Sequence, residues 1–180
     1  MTMSVRRLLG VLLALAAPAV VIVVYALLHD RLPDPLAVHW DLHGRVDNTS
    51  GTDAFFIGTL VTAAVLALGS LAATYLAHSP IAGRMLATLL TFGAWIAAGV
   101  WTVTAAVAAD AAQAAEARMP WYLVLVVIAV PMVLAALAWV LLPGTWQHPD
   151  APAQSVTSTL CFAPGESVVW VDQAAMAWAR

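Results

Sequence analysis

Four uncharged apolar segments constrain the fold of this chain more than any other feature. They cover about residues 8–28, 54–77, 85–109 and 121–142. A helix over the first segment is ~30 Å long at 1.5 Å per residue, which matches the hydrocarbon thickness of a bilayer. The sequence therefore predicts an all-α, polytopic membrane protein, with a module of four transmembrane helices over residues 1–142.

Composition supports a bilayer as the surrounding solvent. The chain is 63% hydrophobic and 9% charged, whereas soluble domains carry about 25% charged residues. It contains no lysine and has a net charge of -3, so nucleic acid is not an expected partner. The single cysteine, Cys161, excludes an intrachain disulfide and a zinc site built on several cysteines. We expect no cofactor and a lipid bilayer as the first partner.

The first apolar segment has a second interpretation, a cleaved signal peptide. Arg6 and Arg7 precede the segment, and Ala17-Pro18-Ala19 resembles a cleavage site. The apolar run nevertheless continues through Val20–Leu28, well beyond such a site. This length favours a retained transmembrane helix.

Arginine asymmetry predicts the orientation in the cell membrane. One set of loops and ends carries Arg6, Arg7 and Arg84, and the other set carries Arg31, Arg45 and Arg118. The numbers are equal, so the pair beside the first span decides. We expect a cytoplasmic N-terminus, an extracytoplasmic loop over 29–53 and a cytoplasmic tail over 143–180.

The C-terminal tail differs in character from the spans. Its first part is rich in proline, serine and threonine, which indicates a linker. Residues Ser167–Val171 then predict one strand. A single strand does not form a stable sheet, so it either pairs elsewhere or begins a larger domain.

The predicted spans hold few polar groups. They contain no Asp, Glu, Lys, Arg or His, which argues against a transporter, because transport paths usually use such groups. We expect the span hydroxyls to bond back to their own helices; they are Thr62, Ser70, Thr74, Thr91 and Thr102. Pro131 predicts a bend near residues 127–131.

Small residues recur in the third predicted span. Ala94, Ala98 and Ala105 have a spacing that permits close helix approach in lipid. The alternative explanation is an alanine-rich composition without a packing role.

The segment 29–53 is too long to be a simple connector. It holds five of the ten acidic residues and three of the five histidines, whereas neighbouring helices need only about 2–8 connecting residues. Its apolar residues and turn formers predict a folded cap with a strand at 37–40. We expect Gly44 and Asp47-Asn48 to form turns, and the second helix to be capped from its own N-terminus; the capping candidates are Ser50, Thr52 and Asp53.

Alternation in an extended segment divides this loop into two faces. The apolar face predicted to pack down comprises Leu36, Val38, Trp40 and Leu42, with Trp40 as its anchor. The opposite face carries His39, Asp41 and His43. His39 and Asp41 are the residues we expect to make the functional contact. As an alternative, these three residues could bind a divalent metal and serve a membrane metalloenzyme. No nucleophile with a clear partner is evident, so catalysis is not the expected function.

The stretch Leu32–Asp47 resembles a bacterial family of unknown function, found at the N-terminus of SdpI-type immunity proteins. The matching motif positions are Leu32, Pro33, Ala37, His39, Trp40, Asp41 and Gly44. Asp41 stands where that family more often has Asn. The resemblance covers about residues 8–60 and implies a bacterial inner-membrane protein. In SdpI-type relatives it implies resistance to a secreted toxin and partnership with a membrane-tethered transcriptional repressor.

Taken together, the residues and the resemblance favour binding or signalling through a membrane protein partner. A transporter accessory subunit is the main alternative beside the metalloenzyme. A flux assay in liposomes distinguishes a transporter from a binding module. Metal analysis of the purified protein distinguishes a metalloenzyme from a binding module.

Overall fold

A computed structural model describes residues 3–77, 79–109 and 111–142. The expectations for the tail over 143–180, namely a linker followed by one strand, lie outside the described residues. The described part is mostly helical, as predicted, and contains one small two-stranded sheet.

Four long helices form the body of the described part of the chain. They are α1 Met3–Leu28, α2 Thr52–Leu76, α3 Pro80–Ala108 and α4 Trp121–Leu141. Each is long and apolar enough to cross a membrane, so the prediction of four transmembrane helices is confirmed. Three helices begin before the predicted spans, and their added N-terminal residues include Arg6 in α1, Asp53 in α2 and Arg84 in α3.

Helix α3 is the centre of the bundle and packs against each of the other three helices. Its inner face carries Ala94, Ala98 and Ala105, all essentially buried. Small side chains let neighbouring backbones approach closely, which is how helices pack in lipid. The burial of this stripe supports the close-approach interpretation.

An aromatic cluster fills the bundle at the end nearest the 29–53 loop. Trp101 of α3 is fully buried. The ring of Phe56 lies 5.4 Å from it, and Tyr25 of α1 stacks on Phe56 at 3.8 Å. Because these rings come from three helices, they hold the helix ends together beneath the loop.

Most span hydroxyls behave as predicted. The Oγ1 atoms of Thr62, Thr74, Thr91 and Thr102 each donate to a carbonyl four residues earlier. Ser70 differs and corrects the prediction, because its Oγ donates to Ala87 O at 3.0 Å and lies 2.9 Å from Thr91 Oγ1. This side chain links α2 to α3.

Two arginines bind the C-terminal end of α4. Arg6 donates to the Val140 carbonyl. Arg84 donates through Nε to Trp139 O at 2.9 Å, and its guanidinium lies 3.9 Å from the Trp139 ring centre. Cations at a helix C-terminus complement its dipole. The start of α1 and the end of α4 therefore lie at the same end of the bundle.

Candidate functional site

The loop between α1 and α2 folds into a β-hairpin. Strand β1, Leu36–Trp40, pairs antiparallel with strand β2, Val46–Ser50. The predicted strand at 37–40 is thus confirmed, and Gly44 lies in the connecting turn with φ +73°. The prediction of a turn at Asp47-Asn48 is wrong, since both residues lie within β2, where Asn48 pairs with His39 and Asp47 falls at an irregularity in the register.

Asp41 organises the hairpin turn. Its Oδ1 accepts the backbone N–H of His43 at 2.8 Å and that of Arg45 at 2.9 Å. The Arg45 bond is the largest cause that holds the pKa of Asp41 below its ordinary value, with the His43 bond acting in the same direction. Oδ1 of Asp41 therefore stabilises the turn. The amide oxygen of an asparagine at this position could accept the same two hydrogen bonds.

The base of the hairpin is fastened to α2 by an unexpected residue. Asp34 Oδ1 accepts the Thr52 N–H at 3.0 Å, and Thr52 Oγ1 donates to Pro33 O at 2.6 Å. The N-cap position itself is Gly51, which has no side chain to offer. The prediction that Ser50, Thr52 or Asp53 caps the helix is corrected, because the capping carboxylate comes from Asp34.

The other two predicted capping residues have different contacts. Asp53 accepts a hydrogen bond from the Tyr25 hydroxyl at 2.8 Å, which joins α2 to α1. The Ser50 hydroxyl lies 3.5 Å from Gly51 O. The base of the hairpin is thus connected to both helices that flank it.

A second loop completes the structure over the helix ends. Residues 111–120 include a 3-10 turn at Ala114–Glu116 and lie against the hairpin. Trp40 Nε1 donates to Ala117 O at 3.0 Å, which supports the predicted role of Trp40 as an anchor. We refer to residues 29–51 and 111–120 together as the cap.

Gly44 lies against this second loop. Its carbonyl accepts the Met119 N–H at 3.3 Å. A Cβ at position 44 would come within 2.7 Å of Met119 O, so this close approach requires glycine in addition to the positive φ. Sequence reasoning assigned Gly44 to a turn but gave 111–120 no part in the cap.

The predicted division of the hairpin into two faces is only partly correct. Leu36 is fully buried and Val38 and Trp40 are half-buried, as expected. Leu42 is fully exposed, because it lies in the turn beyond the end of β1. Alternation ends where the strand ends, so position 42 does not share the packed face.

The histidines of the cap form separate pairs. His39 Nδ1 lies 2.5 Å from Asp47 Oδ1 on the neighbouring strand. His43 Nδ1 lies 3.7 Å from Asp41 Oδ2 within the turn. Over residues 3–77, 79–109 and 111–142, no group of three or more His, Cys, Asp or Glu side chains is arranged to hold a metal. The structure does not bring His39, Asp41 and His43 together as a metal site.

A groove opens where the cap meets α4. Its upper part has a volume of about 330 Å³, and the lining includes Trp40, Leu42, Met119 and Trp121. A hollow of about 200 Å³ adjoins it between α3 and α4. No pattern in the sequence predicted this groove, although Trp121, which lines it, stands at the start of the fourth predicted span.

Comparison with known families agrees with the resemblance found in the motif. Residues 12–63 match a family model described as a domain of unknown function, DUF1648. The matched range covers most of α1, the whole hairpin and the first half of α2. No curated protein and no solved structure matches the chain.

Proposed function

We propose that this membrane protein is a binding or signalling module whose cap recognises a partner outside the bilayer. The observation that carries this proposal is the fastening of the cap at three places, through Asp34, Trp40 and Gly44. Ordering a backbone costs about 1–2 kcal/mol per residue, and a simple connector does not need such order. The ordered hairpin nevertheless leaves its polar side chains in water.

The His39–Asp47 pair is the proposed centre of recognition. Both side chains are well exposed, at 67% and 47%. Acid–base catalysis usually relies on groups that burial tunes toward neutral pH. An exposed cross-strand pair is better suited to exchanging its hydrogen bonds for those of a partner, which supports binding over catalysis.

The helices support this choice over transport. In the described helices, charged side chains occur only near the ends, at Arg6, Arg7, Asp53 and Arg84. A path for ions or protons through the bundle would need ionisable groups at mid-span. We therefore expect no flux when the purified protein is placed in liposomes.

For orientation, we infer a cytoplasmic N-terminus and an extracytoplasmic cap. The support is the Arg6-Arg7 pair at the start of α1, at the bundle end opposite the cap, because the two ends carry equal numbers of arginines and the first span usually sets the orientation. The tail over 143–180 would then be cytoplasmic.

We further propose an SdpI-like role in immunity or regulation. The support is the match of residues 12–63 to the family model, together with the resemblance of the motif around His39 and Trp40. The proposed partner of the cap is a secreted toxin, and a second membrane protein would carry the signal inward.

The test is crosslinking and pull-down of the full-length protein from its native membrane. His39→Ala should lose a crosslinked partner that the parent retains, while expression and protease resistance stay unchanged. His29→Ala is the control, because His29 is also exposed and paired with a neighbour, Asp30, but lies outside the strands. Equal capture by the parent and both variants would contradict recognition through His39.

A further inference from the structure

The groove at the edge of the cap is continuous from the hairpin turn to the side of the bundle. Its upper part and the adjoining hollow share four lining residues: Val38, Trp40, Met119 and Val124. The two volumes, about 330 Å³ and about 200 Å³, together reach the range of small-ligand sites. One ligand can therefore extend through both parts.

The two parts differ in polarity. The lower hollow is walled by Val100, Val103 and Val127, and its one added polar residue is the buried Thr104. The upper part has His39 and Asp41 on its rim. A ligand that fits both parts is an amphiphile with an apolar tail and a polar head.

Aromatic residues indicate the depth of the groove in the membrane. Trp121 and Tyr122, at the start of α4, are 75% and 54% exposed. Exposed Trp and Tyr at a span end favour the headgroup region. Val124 and Val127 follow along α4 toward the bilayer centre, so the lower hollow lies at the level of acyl chains.

The rim offers one anionic acceptor. Asp41 uses Oδ1 for two backbone N–H groups, while His43 Nδ1 lies 3.7 Å from Oδ2 and the charge of Arg45 also acts on this carboxylate. The other ionisable side chain on the rim, His39, is paired with Asp47. A primary ammonium group at Oδ2 would complete the hydrogen bonding of Asp41.

We propose that this groove binds a bilayer lipid, with one acyl chain in the lower hollow and an ammonium-bearing headgroup beside Asp41. The lipid class that meets both requirements is phosphatidylethanolamine. This inference goes beyond partner recognition by the cap, because its ligand is supplied by the membrane itself and enters the groove, although His39 borders the groove as well as belonging to the proposed recognition pair.

The first experiment measures lipid retention by native mass spectrometry of the full-length protein, taken from membranes containing phosphatidylethanolamine. Val127→Phe and Val103→Phe fill the lower hollow and should each reduce retention about tenfold, the order expected when roughly two methylene groups lose their burial. Val65→Phe is the control, since Val65 is 61% exposed on α2 and does not line the groove. Retention equal to the parent in both groove variants overturns the proposal.

The second experiment tests the headgroup. Asp41→Asn keeps an oxygen for the turn but removes the charge, so the preference for phosphatidylethanolamine over phosphatidylcholine should disappear. An unchanged preference overturns the role given to Asp41. If the groove variants retain lipid normally but lose a crosslinked protein, the groove is a protein-docking surface and the proposal is wrong.

A measurement on the unaltered protein covers the case in which a groove variant fails to fold. A lipid with a photoactivatable acyl chain should label Met119, Val124 and their neighbours more than the exposed faces of α2. Even labelling of all lipid-facing helix surfaces overturns the proposal.

Discussion

Trp40 Nε1 lies 3.0 Å from the carbonyl oxygen of Ala117, 77 positions later in the chain. This bond joins the hairpin between α1 and α2 to the loop between α3 and α4. The buried Ala37, Ala114 and Ala117 pack beside it. The cap is thus a small folded unit made from two loops, and its stability depends on contacts between them.

Replacement of Trp40 should separate the two contributions of this side chain. Trp40→Phe removes the hydrogen bond to Ala117 and should lower the stability of the cap by about 0.5–1.5 kcal/mol. Trp40→Ala also removes the ring and should cost about 2–3 kcal/mol in total, the usual scale for a large apolar side chain. The measurement is the rate of limited proteolysis in the cap, which should rise from parent to Phe to Ala. Equal rates for all three proteins would show that the indole does not anchor the cap.

Gly44 provides a second test of the contact between the loops. Gly44→Ala places a Cβ 2.7 Å from Met119 O at a residue whose φ of 73° disfavours any side chain. Cleavage should therefore increase in both cap loops. Gly58→Ala is the matched control, because a Cβ there meets nothing within 4 Å. Since alanine favours the helix more than glycine does, this change should stabilise α2 by about 0.5–1 kcal/mol. Cleavage confined to the hairpin would argue against coupling through Met119.

Those features of the fold that depend on local pattern could be predicted from the sequence. The four spans follow from the length of apolar runs, and the strand at 37–40 from alternation and flanking prolines. The role of Gly44 as a turn residue is likewise local, because it follows from the turn preference of glycine itself. Pro131 lies buried within a continuous α4, and the bend expected there stays a prediction.

Features that depend on distant contacts could not be predicted in this way. Capping rules consider residues next to the helix start, so they miss Asp34, which reaches Thr52 from 18 positions away. The same holds for Ser70, whose hydroxyl bonds across to Ala87, and for Ala117 as the partner of Trp40. Pairing of His39 with Asp47 rather than with Asp41 or His43 depends on the register of β2, which no pattern in the loop specified.

Asp34 should stabilise the start of α2 through its carboxylate. Asp34→Ala leaves the Thr52 N–H without its acceptor and should cost about 0.5–2 kcal/mol, the range for lost N-caps. Asp34→Asn retains a side-chain oxygen and should cost much less. The measurement is thermal unfolding of the detergent-solubilised protein. If Asn and Ala destabilise equally, the bond to Thr52 is not the source of the effect.

Membrane topology can be tested independently of the cap contacts. Periplasmic and cytoplasmic reporters fused at Asp47 and at Thr157 should give an outside and an inside signal, respectively. The reason is the Arg6-Arg7 pair at the start of α1 and an even number of spans. An outside signal at Thr157 would contradict the inferred orientation or the number of crossings.

The turn at Asp41 should make the cap sensitive to acid. In the unfolded chain this carboxyl has its ordinary pKa, near 3.8. In the folded cap the N–H groups of Arg45 and His43 lower the pKa of Asp41, so the folded state binds its proton more weakly. The stabilisation is therefore fully present above about pH 3.8 and is lost as the pH falls through the lower folded value.

The measurement follows cap stability by limited proteolysis or hydrogen exchange between pH 6 and pH 2. The informative quantity is the difference in cap stability between the parent and Asp41→Asn, because effects of acid on the rest of the chain are common to both proteins. Asn keeps an acceptor for both N–H groups but does not titrate. The amount by which the parent cap is more stable than the variant cap should therefore shrink as the pH falls below 3.8. A parent–variant difference that stays constant across this range would mean that the carboxylate charge does not stabilise the turn.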